Sequence, residues 1–243
     1  MNLIIDVGNT VIKLAVFKNN TLLHKELVEV LQLENRISTI KGEFPKITHA
    51  IISSVAKLSD SDFLKIKNNF NLLILDATVK LPFKNLYSTP KTLGVDRLAL
   101  VCAAVNEFPS KNVLVIDAGT CITFDFINSK NEYLGGAISL GIRMRYKALH
   151  NLTANLPLLE TEMPDHFIGN STKNAINSGV IYGVLNEIDG VIKAYKQEFS
   201  DLTVILTGGD SNFLSKQLKS SIFANSNFLL EGLNFILKYN SNE

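Results

Sequence analysis

Apolar residues gather along the chain in short runs that end at glycine, asparagine or proline. The first run, residues 3–5, stops at Asp6-Val7-Gly8-Asn9-Thr10. Residues 11–17 alternate loosely and meet Lys18-Asn19-Asn20, and residues 21–28 form a third extended stretch. This spacing predicts an antiparallel meander with a Gly-Asn turn between its first two strands. Helical periodicity follows over 31–44 and closes at Pro45, since proline cannot continue a helix. A buried strand over 50–55, a helix over 59–69 and a strand over 72–75 come next. Residues 76–93 hold Pro82 and Pro90 and read as irregular. Leu98, Val101, Cys102 and Val105 have helical spacing and put a helix over 94–108.

The opening pattern then returns. Residues 113–127 read VLVIDAGTCITFDFI, and residues 3–17 read LIIDVGNTVIKLAVF. Both pair an apolar run with an Asp-x-Gly turn and a second apolar run, and 133–138 again supply a third strand. The offset from Asp6 to Asp117 is 111 residues. That is too long for a solenoid repeat and fits a duplicated lobe. The expected lobes are 1–110 and 111–243, each a meander followed by alternating helices and strands. In the second lobe a helix over 141–150 leads to a loop with Pro157 and Pro164. Ser171 is an N-cap candidate for a long helix whose apolar positions are Ile176, Val180, Val184, Ile188, Val191 and Tyr195. A buried strand over 203–206 ends at Thr207-Gly208-Gly209-Asp210, and short helices are expected over 213–217 and 230–239.

Composition narrows the function. Of 243 residues, 46 % are apolar and 19 % charged, which excludes a disordered chain. A net charge of +1 argues against a nucleic-acid binder, whose affinity comes from surplus lysine and arginine. The longest apolar run, 98–105, is far short of a membrane span, and no leader pattern precedes Asp6, so a cytoplasmic protein is expected. Cys102 and Cys121 sit in apolar surroundings and read as reduced, buried thiols. The four histidines are scattered without a partner acid. Arg143, Arg145 and Lys147 read as a solvated helix face, and Gly179 and Gly183 as small residues that permit close helix packing.

Phosphate-loop, dinucleotide, zinc-protease and serine-elbow signatures are all missing from the sequence. The paired Asp-x-Gly units remain. A glycine in a tight hairpin lets backbone N–H groups converge on one anion, a threonine hydroxyl adds a donor, and the aspartate at the strand end can hold a hydrated cation. Thr207-Gly208-Gly209-Asp210 is a credible nucleoside loop in third position. Taken alone, Gly94-Val95-Asp96-Arg97 reads as a helix N-terminus with a favourable acid in its first turn.

D-V-G-N-T at 6–10, Gly94-Val95-Asp96-Arg97, Asp117-Ala118-Gly119-Thr120, Gly135-Gly136-Ala137-Ile138, Thr153-Ala-Asn-Leu-Pro157 and Gly169-Asn-Ser-Thr172 occur in that order. Together they resemble type III pantothenate kinases, within the acetate and sugar kinase/heat-shock chaperone/actin superfamily. The resemblance implies an α/β chain of two ribonuclease H-like lobes related by internal duplication, with an ATP cleft between them. It implies ATP-dependent phosphorylation of pantothenate to 4′-phosphopantothenate, the first step of coenzyme A synthesis. By the family's pattern, Asp6, Val7, Gly8, Asn9, Thr10, Val11, Ile12 and Lys13, with Thr120, bind ATP. Tyr87, Gly94, Val95, Asp96, Arg97 and Thr172 bind pantothenate, and Asp96 is the proton acceptor. Asp117 holds a monovalent cation, potassium or ammonium, and Mg²⁺ accompanies ATP. The resemblance also implies a homodimer. One position departs from the pattern: Leu140 stands where the family usually has proline. The rival readings are a kinase of another small hydroxylated substrate, a non-catalytic accessory protein of the same fold, and a chaperone-like or filament ATPase.

Overall fold

The computed structural model describes residues 1–8, 11–54 and 60–241. The chain forms two compact units. One comprises residues 1–109, 131–133 and 228–243, and the other 110–130 and 134–227.

The first unit opens with β1 (Asn2–Val7), β2 (Ile12–Lys18) and β3 (Thr21–Val28). Helix α1 (Leu33–Glu43), strand β4 (His49–Ser54), helix α2 (Asp60–Asn69) and strand β5 (Asn71–Ile74) follow. The sheet order is β3-β2-β1-β4-β5, antiparallel on the β3-β2-β1 side and parallel from β1 through β4 to β5. The central strand β1 is covered on both faces, which is why its sequence is a continuous apolar run rather than an alternation. Leu3, Ile5 and Val7 join Ala50 and Ile52 in a core with Leu33, Ile37 and Ile40 of α1 and Ile66 and Phe70 at the end of α2. The opposite face packs on α3 (Val95–Glu107) and α7 (Phe228–Asn240).

Helix α7 therefore belongs with the first unit, not with the lobe 111–243 to which sequence order assigns it. Its buried face, including Phe228, Leu229, Leu233, Ile236 and Leu237, fills the space over α3 and β1. The amide of Asn2 in β1 also donates to Asn234 Oδ1 at 3.0 Å. The stretch 76–93 is not wholly irregular. It holds the two-residue strand β6 (Lys84–Asn85), paired in parallel with Glu132 and Tyr133, and a 3-10 turn over Pro90–Thr92.

The second unit repeats the plan with β7 (Val113–Ala118), β8 (Cys121–Ile127), β9 (Glu132–Leu140), β10 (Thr203–Thr207) and β11 (Phe223–Ala224). Within the six-stranded order β6-β9-β8-β7-β10-β11, the run β9-β8-β7-β10-β11 reproduces β3-β2-β1-β4-β5. The duplication read from 3–17 and 113–127 is thus a duplication of sheet topology. Helix α4 (Ile142–Asn151), the 27-residue α5 (Thr172–Glu198) and the single-turn α6 (Ser211–Leu214) complete the unit. Ile176, Val180, Val184 and Ile188 of α5 pack on Leu114, Ile116, Phe124 and Phe126. Ser171 does cap α5, its hydroxyl accepting from the Asn174 N–H at 3.2 Å. The helix expected over 213–217 is instead Ser211–Leu214, capped at Asp210.

Candidate active site

In the first unit Asp6 lies directly opposite Lys13 in the β1–β2 ladder, and Lys13 Nζ donates to Asp6 Oδ2 at 3.1 Å. Asp6 is 5 % exposed. Burial pushes its carboxyl above the ordinary aspartate value. The Lys13 charge and hydrogen bond oppose that rise, and the negative charge of Asp96 adds to it. Asp6 and Asp96 therefore share one electrostatic environment, although 90 residues of chain separate them. Val7 and Ile12 have their side chains in the core, so only their backbone is available to a ligand. Gly8 N–H donates to Val11 O at 3.1 Å and starts the turn. Asn9 and Thr10 lie outside the described residues.

The segment from Tyr87 to Arg97 is built within the same unit. Gly94 is the N-cap of α3, and Asp96 lies in its first turn, where an acid is favoured by the helix dipole. Asp96 Oδ1 accepts the Arg97 N–H at 2.9 Å. The carboxylate lies so close to Gly94 that a Cβ there would come within 2.4 Å of Asp96 Oδ1. Arg97 is 5 % exposed, and its guanidinium sits 5.6 Å over the Tyr87 ring. Tyr87 stacks in turn on the fully buried Tyr133, centroids 6.1 Å apart at 22°. Tyr87 and Arg97, expected to serve one substrate, thus touch each other.

In the second unit Asp117 is half-buried near the end of β7, opposite Thr123, and Thr120 is exposed in the two-residue turn that follows. Three pieces of chain converge on this turn. Gly119 N–H donates to Cys121 O at 2.9 Å, and Gly141 N–H donates to Thr120 O at 3.1 Å. Asp210 N–H donates to Ala118 O at 2.9 Å. Gly208 adopts φ +93°, and its Cα packs so tightly that a Cβ would fall 2.4 Å from Asp117 Oδ1. The Thr207-Gly208-Gly209-Asp210 loop therefore rests on the second Asp-x-Gly unit. Asp210 is partly buried, which raises its carboxyl, with the Arg143 charge opposing. Thr172 is the exposed first residue of α5.

These carboxylates are hard oxygen donors and suit Mg²⁺ and potassium. Asp6 is desolvated and feels a second acid, the situation a cation relieves. No group of three or more His, Cys, Asp or Glu side chains gathers at metal-binding distance among the described residues.

Two sequence readings change. Arg145 is not a solvated side chain. Its Nε donates to Leu140 O at 2.9 Å, its Nη2 donates to Ser139 Oγ at 3.2 Å, and it forms an ion pair with Glu187 of α5. Arg143 pairs with Glu160. Among the described residues of the chain, a methyl group added at Gly179 would meet nothing within 4 Å, while Gly183 lies against the Arg145 guanidinium rather than against another helix backbone. Glu187 was missed because a helical acid four positions from a glycine has no distinctive signal until α4 is laid beside α5.

A family profile described as Type III pantothenate kinase matches residues 2–194. A type III pantothenate kinase of Christiangramia forsetii is 55 % identical to the chain over 244 residues, covering 100 % of both proteins. The Flavobacterium johnsoniae protein of the same description is 49 % identical over 98 % of each, and that of Bacteroides fragilis YCH46 is 45 % identical over 99 % of each. Among solved structures, a Campylobacter jejuni protein described as a Baf family transcriptional activator superposes with a TM-score of 0.64 at 24 % identity, covering 99 % of this chain and 100 % of that one. A ROK family glucokinase from Streptomyces griseus, solved with glucose and AMPPNP, gives a TM-score of 0.53 at 11 % identity, covering 100 % of this chain and 99 % of that one. These structural likenesses bear on the fold alone.

Proposed function

The chain belongs to the type III pantothenate kinase family, and from that premise we infer how its residues divide the work. The reaction is ATP-dependent phosphorylation of pantothenate to 4′-phosphopantothenate, the first step of coenzyme A biosynthesis. The oxygen of the terminal hydroxyl forms a bond to the γ-phosphorus, the bond from that phosphorus to the β-bridging oxygen breaks, and ADP leaves. The hydroxyl proton goes to the Asp96 carboxylate. The observation that carries this assignment is the placement of Asp96: first turn of α3, against Gly94, within the electrostatic reach of Asp6.

Backbone groups of residues 6–13 bind ATP phosphates in this reading, with Asn9 and Thr10 among them. Thr120 supplies a hydroxyl to ATP in the same reading. Arg97, Tyr87, Gly94, Val95 and Thr172 bind pantothenate. The buried, aromatic-backed Arg97 suits its carboxylate, because a guanidinium held on a ring presents a fixed fork. Asp117 would hold the monovalent cation, and Asp6 would be the carboxylate available to the Mg²⁺ that accompanies ATP. Bound there, the cations neutralise charge that develops on the transferred phosphoryl group. A homodimer agrees with the apolar residues left exposed on the second unit, including Leu134, Ile138 and Leu140 of β9 and Phe167 and Ile168. A cytoplasmic setting agrees with two free cysteines. No helix among the described residues is long and apolar enough to cross a membrane.

The test is a coupled kinase assay with pantothenate and Mg-ATP, with and without potassium, on the wild type and Asp96→Asn. Potassium-dependent turnover that collapses in the variant supports substrate, cation and base together. Turnover that survives Asp96→Asn removes the base. A folded wild type without turnover removes the whole assignment in favour of an accessory protein.

A further inference from the structure

Arg145 forms more bonds than a surface arginine needs, and they all lead to one turn. It leaves the second turn of α4 and reaches back to the end of β9. There it holds Ser139 Oγ and the Leu140 carbonyl at 3.2 and 2.9 Å, while Glu187 of α5 takes its charge. Gly183, one helical turn before Glu187, lies beside the guanidinium: a Cβ there would sit in ordinary contact, 3.7 Å from Arg145 Nη1. The next residue after the clamped pair, Gly141, is pressed onto the Gly119–Thr120 turn. Its N–H donates to Thr120 O at 3.1 Å, and a Cβ at 141 would come within 2.2 Å of Gly119 O. An unbroken path of direct contacts thus runs from Glu187 through Arg145, Ser139-Leu140 and Gly141 to Thr120.

We propose that Arg145 is a positioning residue for the nucleotide, holding the 139–141 turn so that the Thr120 hydroxyl faces the phosphates. The proposal rests on the reading above that Thr120 contacts ATP. A planar fork can hold a carbonyl, a hydroxyl and a carboxylate at once; an ammonium keeps the charge but not that geometry. Replacing arginine by lysine therefore separates charge from positioning.

The experiment measures kcat, the KM for each substrate, Mg-ATP affinity by calorimetry and the thermal midpoint for Arg145→Lys, Glu187→Gln, the double variant and Thr120→Ala. Arg145→Lys is expected to raise the KM and Kd for Mg-ATP about tenfold, with the KM for pantothenate and the thermal midpoint near wild type. Glu187→Gln moves the same constants in the same direction, and the double variant is no worse than Arg145→Lys, because both act along one path. Should Arg145→Lys fail to fold, Ser139→Ala removes one arm of the clamp and still raises the Mg-ATP constants. If Thr120→Ala weakens Mg-ATP while Arg145→Lys leaves it unchanged, the inference fails and the site reading stands. If neither variant moves Mg-ATP binding, both fall.

Discussion

Asp6 illustrates how a single residue can serve function against stability. Its buried carboxyl is raised above the ordinary aspartate value even with Lys13 attached. An acid with a raised folded pKa holds its proton more firmly in the folded state than in the unfolded one. Its contribution to stability therefore falls as pH climbs from the ordinary carboxylate value through the raised one. Asp6→Asn removes that loss. The ligand-free variant should be more stable at neutral pH by roughly 0.5–2 kcal/mol, with the gain shrinking toward acid pH, while Mg-ATP binding is lost. Thermal melts across the acid-to-neutral range and calorimetry check the two halves. Gly94→Ala isolates the opposite case. A methyl group there displaces the Asp96 carboxylate, which is a movable side chain rather than backbone, so kcat should drop at least about tenfold with little change in thermal midpoint. At this scale the acids were legible, because strand-end aspartates beside glycine carry a pattern along the chain. Arg145 was not, because its partners at 139, 140 and 187 are defined by packing alone.

At the scale of elements, the α3–α7 contact is a tight place to intervene. Gly232 of α7 lies against α3, where a Cβ would fall 2.0 Å from the Ala99 carbonyl oxygen and 3.2 Å from the Ala103 methyl. Gly232→Ala should force the helices apart and cost about 1–3 kcal/mol, read as a lower denaturation midpoint. Near one end of the same contact, partial desolvation raises the carboxyl of the otherwise exposed Glu107, and Glu231 adds to the rise through its charge and a hydrogen bond. The sign is again that of a raised acid: stability is lost as pH rises through the shifted value. Glu107→Gln should lift the thermal midpoint near neutral pH and lose its advantage in acid, where the native glutamate is itself protonated. The meanders and the two matching sheets were legible from hydrophobic runs separated by Asp-x-Gly. The apolar character of α7 was also legible, but not the surface it would cover, since nothing local ties residues 228–240 to residues 95–107.

For the whole molecule, the chain is a duplication whose last helix returns to the first copy. Truncation after Asn227 uncovers the α3 face of the first unit and leaves Asn2 without its Asn234 partner. Hydrogen exchange on that truncated chain should show protection lost across β1, β4 and α3 and retained across β7, β8 and β10. Equal loss in both units would show instead that they unfold as one body. Lobe number and order were readable from the 111-residue offset; the crossing of α7 was not, because sequence order alone assigns it to the nearer lobe. The return of α7 also sets a sequence of events during synthesis. Strands β7, β8 and β9 leave the ribosome well before residues 228–240 and can begin to pair while translation continues. The first hundred residues, though made earlier, wait with one face of their sheet open until the final helix emerges. The half synthesised first thus stays unfinished until residues 228–240 are free to fold, and in that interval its open sheet face is the apolar surface most exposed to wrong contacts.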